Sequence, residues 1–222
     1  VTTALRSTVV ETGPTPPLTA AQLLGGYALG VFPMAQAAAS PRLNWFDPPY
    51  RGILPVGSVH ASRSLRRSLR GGGWTATTRP DFDSIVAHCA DRPETWINAT
   101  LARTYAELHA LGHAHALAVE HDGKLAGGIF GVTLGGAFFG ESMFSTQTDG
   151  SKMALVWLSR HLADCGFTLF DTQYLTRHLA SMGGQEITRA SYRRRLSQAL
   201  THEADFHARP LRDAEGLLAA ME

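Results

Sequence analysis

Three runs in the middle of the chain, residues 114–121, 124–134 and 137–145, alternate apolar and polar positions, and the dipeptides Asp122-Gly123 and Gly135-Gly136 separate them. Such dipeptides between apolar runs are hairpin signals, so this stretch is predicted to form a three-stranded antiparallel meander. Helical signals precede it. Thr19 caps and Gly30 closes a helix over 19–29, a short strand over 74–78 leads into a helix over 81–90, and Asn98 caps a longer helix that Gly112 stops. After the meander the period returns to helical over 151–165, with Met153, Leu155, Val156, Leu158 and Leu162 on one face and Gly166 as the stop. A buried strand over 168–172 follows, then helices near 175–182 and 190–200, and a short amphipathic helix within 210–221.

This order predicts a mixed α+β fold with a largely antiparallel sheet. Residues 31–34 lead into a turn-rich stretch through Pro41, and Pro48-Pro49 breaks regular structure. The break places a boundary near 49–56, between a small N-terminal domain, 1–50, and a main domain, 51–222. Consecutive strands joined by one helical crossover commonly lie side by side. The last meander strand and the strand over 168–172 are therefore expected to be neighbours.

Hydrophobic residues make up 44% of the 222 and charged residues 18%, which excludes a disordered chain. No apolar run has the length of a membrane span, so a soluble protein without a membrane partner is expected. Residues 1–17 hold one Arg, one Glu and three prolines without an apolar core, and read as neither a secretory signal nor a transit peptide. Cys89 and Cys165 are too few for a disulfide framework and read as buried free thiols of a reducing cytoplasm. The histidines are scattered, with His109, His113 and His115 lacking a Cys or acid at ligand spacing, so neither a metal nor another cofactor is expected.

Lys and Arg total 20 against 19 for Asp and Glu, a net charge of +1, so charge matters here through its distribution. Arg63, Arg66, Arg67 and Arg70 stand at i, i+3, i+4 and i+7, and a helix starting near Ser62 aligns them opposite Leu65 and Leu69. Like charges at that spacing repel, and a phosphate backbone would relieve them. The stripe reads as a nucleic-acid contact or as a solvated basic face. Arg189, Arg193, Arg194 and Arg195 spread around their helix and read more readily as solvated.

The candidate chemistry lies in two blocks, Gly140-Glu141-Ser142-Met143-Phe144-Ser145 and Asp171-Thr172-Gln173. Each puts an acid inside an otherwise apolar strand, where an unpaired carboxylate is costly. Placed at the ends of neighbouring strands, the two acids would meet at one mouth of the sheet. A cap or structural ion pair is the plain reading for Asp171, and a buried structural hydrogen bond is the plain reading for Glu141. Along an extended strand Gln173 shares a face with Asp171, and Thr172 points into the core.

These blocks, together with Tyr27-Ala28-Leu29-Gly30-Val31-Phe32-Pro33, Trp45, His60-Ala61-Ser62-Arg63-Ser64, Thr95-Trp96-Ile97, Leu111-Gly112-His113-Ala114-His115, Gly127-Gly128-Ile129-Phe130-Gly131-Val132, Ser151-Lys152 and the series His178, Ala180, Ser181, Met182, Gly183, resemble the bacterial leucyl/phenylalanyl-tRNA protein transferases in collinear order from about Leu23 to Leu196. The resemblance implies a small N-terminal domain on a C-terminal domain of GNAT (N-acetyltransferase) type. It implies a cytoplasmic, monomeric enzyme that moves Leu or Phe, with Met as a further donor, from aminoacyl-tRNA to the N-terminal Arg or Lys of proteins, marking them for degradation.

Catalysis then falls to Asp171, which would attract the acceptor ammonium and assist its deprotonation, and to Gln173, which would orient the reacting groups. Glu141 would bind the acceptor's charge or support Asp171. The apolar pocket implied by the resemblance comprises Met34, Trp96, Ile129, Phe138, Met143 and Leu162, with the terminal adenosine stacking on an aromatic among them. Met34 stands where the family often has Trp, so this end either stacks a base or lines the slot. The stripe of Arg63, Arg66, Arg67 and Arg70 would hold the acceptor stem. Two other classes compete: a GNAT-fold small-molecule acetyltransferase, whose pyrophosphate loop 145–152 matches only in part, and a non-catalytic RNA-binding module, which leaves Glu141, Asp171 and Gln173 unexplained.

Overall fold

Seventeen elements follow one another in the computed structural model, which describes residues 18–221; the N-terminal stretch 1–17 lies outside them. In order they are α1 (Ala20–Ala28), β1 (Phe32–Ala35), β2 (Leu43–Phe46), β3 (Tyr50–Leu54), α2 (Arg63–Arg70), β4 (Trp74–Thr77), α3 (Phe82–Ala90), α4 (Ala99–Ala110), β5 (Ala114–His121), β6 (Lys124–Leu134), β7 (Ala137–Ser145), α5 (Gly150–Asp164), β8 (Leu169–Gln173), α6 (Arg177–Ser181), β9 (Gln185–Thr188), α7 (Arg189–Leu200) and α8 (Ala214–Ala219). The meander forms as its turns predict. The helix starts also follow their caps: Thr19 forms a capping box with Gln22, and the Ser62, Asp81 and Asn98 side chains each accept a first-turn amide.

The main sheet has seven strands in the order β4-β5-β6-β7-β8-β3-β9, and the β1-β2 hairpin stands apart from it. Every pairing in the main sheet is antiparallel except that of β7 with β8. Successive residues of a strand point to opposite faces, and this divides the interior into two cores. Ala116, Ala118, Phe130 and Phe139 face α1, α3, α4 and α7. Leu117, Val119, Phe138 and Phe170 face α2, α5 and α8.

The segment after the double proline is not a linker. It forms β3, inserted between β8 and β9, with Arg51, Gly52, Ile53 and Leu54 buried. The prolines end just before the strand, so they delimit it without breaking it. Edge strand β9 and the β1-β2 hairpin are further strands without a sequence signal, since β9 is mostly exposed and polar. Both cysteines are buried free thiols. No helix among the described residues is long and apolar enough to cross a membrane.

Two register breaks position the site. Strands β7 and β8 pair from Ala137↔Leu169 as far as Phe139↔Asp171; beyond that point β7 pairs with β6 alone, and Gln173 pairs with Gly52 of β3. The parallel strands therefore part and leave a cleft. On β7, Ser142 pairs with Phe130 and Gly140 with Gly131, so Glu141 is an extra, bulged residue. On β8, Asp171 pairs with Ile53 and Gln173 with Gly52, which makes Thr172 the extra residue there. Bulges bend a strand and re-aim a side chain, and these two face each other where the strands separate. Gly140 sits at the parting point, where a Cβ would come within 2.9 Å of the Phe170 ring.

Candidate active site

Asp171 is fully buried and its carboxylate is occupied on every side. Arg51 donates to it through Nε (2.8 Å) and Nη2 (2.6 Å), the Tyr192 hydroxyl donates at 2.7 Å, and the Gln173 amide N–H donates at 2.9 Å. The Arg51 guanidinium lies between the rings of Phe32 and Tyr192, 4.4 and 4.5 Å from their centroids, and also donates to the Gly30 carbonyl at 3.1 Å. One buried ion pair thus ties the β1 region, β3, β8 and α7 together. Such a pair is costly to bury and expensive to break. Proximity to Asp171 holds the Arg51 pKa above its ordinary value against the opposing effect of burial.

Asp171 does not line the cleft, where the resemblance implied that it would meet the acceptor amine. Its geometry acts on Gln173 instead. Gln173 has φ of +59°, in the left-handed region, and the bond from its N–H to Asp171 Oδ1 holds it there. Non-glycine residues in that region carry strain that the surroundings must overcome. Its reward here is direction: the Gln173 side chain lines the cleft, with Nε2 3.4 Å from Glu141 Oε1.

Glu141 is the carboxylate that reaches the cleft. Tyr27 donates to Oε1 at 2.6 Å and Tyr105 to Oε2 at 2.7 Å. Tyr27 comes from α1 and stacks on Phe139 at 4.6 Å, and Tyr105 from α4 packs edge-on against Phe130 at 5.1 Å. Burial raises the Glu141 pKa from 4.5 to about 7, outweighing the two tyrosine bonds, which favour the charged form. Burial also raises both tyrosine pKa values, with the Glu141 charge adding to it. A carboxyl that titrates near neutrality is suited to taking up and returning a proton.

The cleft has a volume of about 420 Å³, within the range of small-molecule sites. Met34, Trp96, Ile129 and Met143 line it as the resemblance implied. Phe138 and Leu162 do not. Phe138 packs edge-on to Phe170 at 5.3 Å, and Leu162, two turns along α5 from Leu155, is fully enclosed in the core. Leu155, Phe170 and Leu179 form the wall in their place. Thr172, expected to point into the core, lines the cleft because the bulge re-aims it, and His178 of α6 lines it too. Arg92 reaches the rim and donates to the Met143 carbonyl at 2.8 Å and to Ser142 Oγ at 3.2 Å. No sequence signal marked Arg92, while the bulges account for Thr172.

On α2, Arg63, Arg67 and Arg70 are exposed above buried Leu65 and Leu69. Arg66 is half-buried and its Nε donates to the Ala61 carbonyl at 3.1 Å, which turns it from the stripe. Arg189 and Arg193 both pair with Asp47, at 3.0 and 2.8 Å. The loop where an acetyltransferase would hold pyrophosphate bonds four of its amides internally. Thr146 and Gln147 N–H go to the Ala126 carbonyl, Gly150 N–H to Gln147, and Ser151 N–H to Ser145 Oγ. Gly150 also abuts the Ala126 carbonyl so closely that no Cβ fits.

Parallel strands that part around a cleft, with a bulged carboxylate and a strained amide facing an apolar slot, define an acyltransferase of GNAT-like fold. Residues 53–197 match the family model for leucyl/phenylalanyl-tRNA protein transferase, and residues 17–49 match that family's N-terminal domain. The leucyl/phenylalanyl-tRNA protein transferase of Paracoccus denitrificans is 58% identical over 201 residues, covering 90% of this chain and 95% of that protein. Those of Dinoroseobacter shibae and of a Jannaschia species are 55% and 50% identical, covering 88% and 89% of this chain and 88% and 93% of theirs. The chain belongs to the leucyl/phenylalanyl-tRNA protein transferase family.

Proposed function

We propose that this chain carries a leucyl or phenylalanyl group from tRNA to the N-terminal Arg or Lys of a protein, in the cytoplasm and as a monomer, at the cleft between β7 and β8. The observation that carries the reading is the meeting, at the two facing bulges, of an apolar slot with one carboxyl and one carboxamide. The acyl side chain lies against Met143, Leu155, Phe170 and Leu179, and the terminal adenosine lies towards Trp96 and Met34. Glu141 attracts the acceptor ammonium and takes up its first proton. The amine nitrogen then bonds to the ester carbonyl carbon and the bond from that carbon to the ribose oxygen breaks. The proton that the attacking amine gives up passes to the ribose oxygen. Gln173 has two amide hydrogens, one directed at Glu141 and one free to donate to the carbonyl oxygen as charge builds there. Asp171 and Arg51 serve this step by holding Gln173.

Arg63, Arg67 and Arg70 contact acceptor-stem phosphates, contacts that position the RNA without reading its sequence. The division at residue 50 separates the α1 and hairpin unit, which contributes Met34 to the cleft, from the unit that supplies the rest of its lining. Radiolabelled leucyl-tRNA mixed with peptides beginning in Arg, Lys or acetylated Arg tests the reaction. Label is expected only on the peptides with free Arg or Lys termini; label on the acetylated peptide, or none on any peptide, overturns the reading.

A further inference from the structure

Among the described residues, two buried side-chain polar atoms have no hydrogen-bond partner, Thr172 Oγ1 and His178 Nε2. Both residues line the same cleft. Leaving a buried polar atom unpaired is destabilising, and these two atoms belong to residues that line one cleft. They come from different elements. Thr172 is the bulged residue of β8, and His178 stands on α6 next to Leu179, which is part of the apolar wall.

The chemistry of the pair narrows what fits between them. A threonine hydroxyl both donates and accepts, and a neutral imidazole offers a lone pair on one nitrogen. Burial, with the Lys152 charge adding to it, lowers the His178 pKa and keeps the ring neutral near pH 7. A group bearing at least two hydrogens can satisfy both atoms at once. Position narrows it further: Phe170, Leu155 and Leu179, the apolar wall of the slot, belong to the core on one side of the sheet, whereas Glu141 bonds to Tyr27 and Tyr105 of the other core. The polar group therefore belongs to the molecule whose apolar chain fills the slot, at the root of that chain.

We propose that Thr172 Oγ1 and His178 Nε2 form the subsite for the α-amino group of the aminoacyl residue being transferred. The inference rests on the placement of the acyl chain proposed above. It makes the donor's own amine, which takes no part in bond formation, a determinant of which acyl-tRNA is used, and it orients the ester carbonyl towards Gln173, the next residue along β8.

The experiment compares phenylalanyl-tRNA with phenyllactyl-tRNA, whose α-hydroxyl replaces the amine at nearly constant size. kcat/KM is measured with one Arg-initiated peptide for the wild type, Thr172→Val, His178→Leu and Leu155→Trp, and the Tm of each is recorded. The wild type is expected to favour the amine donor by about tenfold or more, the effect of one hydrogen bond involving a charged or strongly polar group. In Thr172→Val and His178→Leu that ratio falls towards one, chiefly by loss of rate with the amine donor. Thr172→Val keeps or raises Tm, because it deletes a hydroxyl without a partner. A wild-type ratio near one, or an unchanged ratio in both folded variants, overturns the subsite. Leu155→Trp fills the slot and should lower transfer from both donors alike. Undiminished transfer there overturns the placement of the acyl chain and the subsite with it, whereas an unchanged ratio beside a strong Leu155→Trp loss overturns the subsite alone.

Discussion

Replacing Glu141 with glutamine keeps the shape of the side chain and its seat between Tyr27 and Tyr105 while deleting its titration. Both hydroxyls can still bond to it, because a tyrosine O–H donates or accepts as required. In the native protein burial raises the carboxyl pKa from 4.5 to about 7, a change worth about 3 kcal/mol between the two protonation states. The folded value lies above the unfolded one. The stabilising contribution is therefore fully present below about pH 4.5 and is lost as pH rises through about 7. The wild type should lose about 3 kcal/mol across that window through this one group, and Glu141→Gln should lose none of it. Urea unfolding of both proteins at several pH values between about 4.5 and 8 measures the difference. The stability of the variant relative to the wild type should rise by about 3 kcal/mol over the window. A relative stability that stays flat would refute the reasoning, since the other titrating groups occur in both proteins and cancel. The same titration predicts that wild-type kcat/KM falls below about pH 7, because a protonated Glu141 can accept nothing from the acceptor ammonium.

Asp171→Asn leaves the Arg51 charge buried without a counter-charge, so denaturant melts should show a loss of about 3–5 kcal/mol, with transfer falling as Gln173 loses its clamp. Gln173→Gly removes a left-handed non-glycine residue and should gain about 1 kcal/mol in the same melts while transfer drops sharply; a variant both stabler and fully active would detach the strain from the chemistry. Arg67→Glu should weaken tRNA binding in filter assays and lower the slope of log affinity against log salt by about 0.9 for each phosphate it no longer neutralises. Arg66→Gln, at a side chain turned towards Ala61, should change that slope less.

The sequence displayed the scaffold better than it displayed the division of labour. Caps, turn dipeptides and periods two and 3.6 are local, and the elements they mark form within a residue or two of expectation. Strands β3 and β9 went unread because their identity lies in their neighbours. Tyr50–Leu54 is short and follows two prolines, and becomes a central strand only because β8 and β9 flank it. Met34, Trp96, Ile129 and Met143 reach the cleft as the resemblance implied, yet Phe138 and Leu162 lie behind its wall. A one-residue change of face or a further two turns of helix decides such matters, and apolar composition carries no mark of either.

The two acids show most clearly what a one-dimensional pattern holds. Both stand out for the same reason, a carboxylate in an apolar strand, and that reason is sound for both because each needs partners to be tolerated. The partners come from residues distant in the chain, and they are of opposite kinds. Asp171 receives a guanidinium, a hydroxyl and a backbone amide, which occupy its carboxylate and fix its position. Glu141 receives two neutral hydroxyls and no cation in bonding distance, which leaves its proton exchangeable near neutrality. Period-two reasoning then failed at Thr172, because it is the extra residue of a bulge and a bulge re-aims the side chain that a regular strand would fix. With both bulges at the parting of β7 and β8, Glu141, Thr172 and Gln173 line one cleft. The fixed pair, Asp171 and Arg51, holds that geometry from outside the cavity.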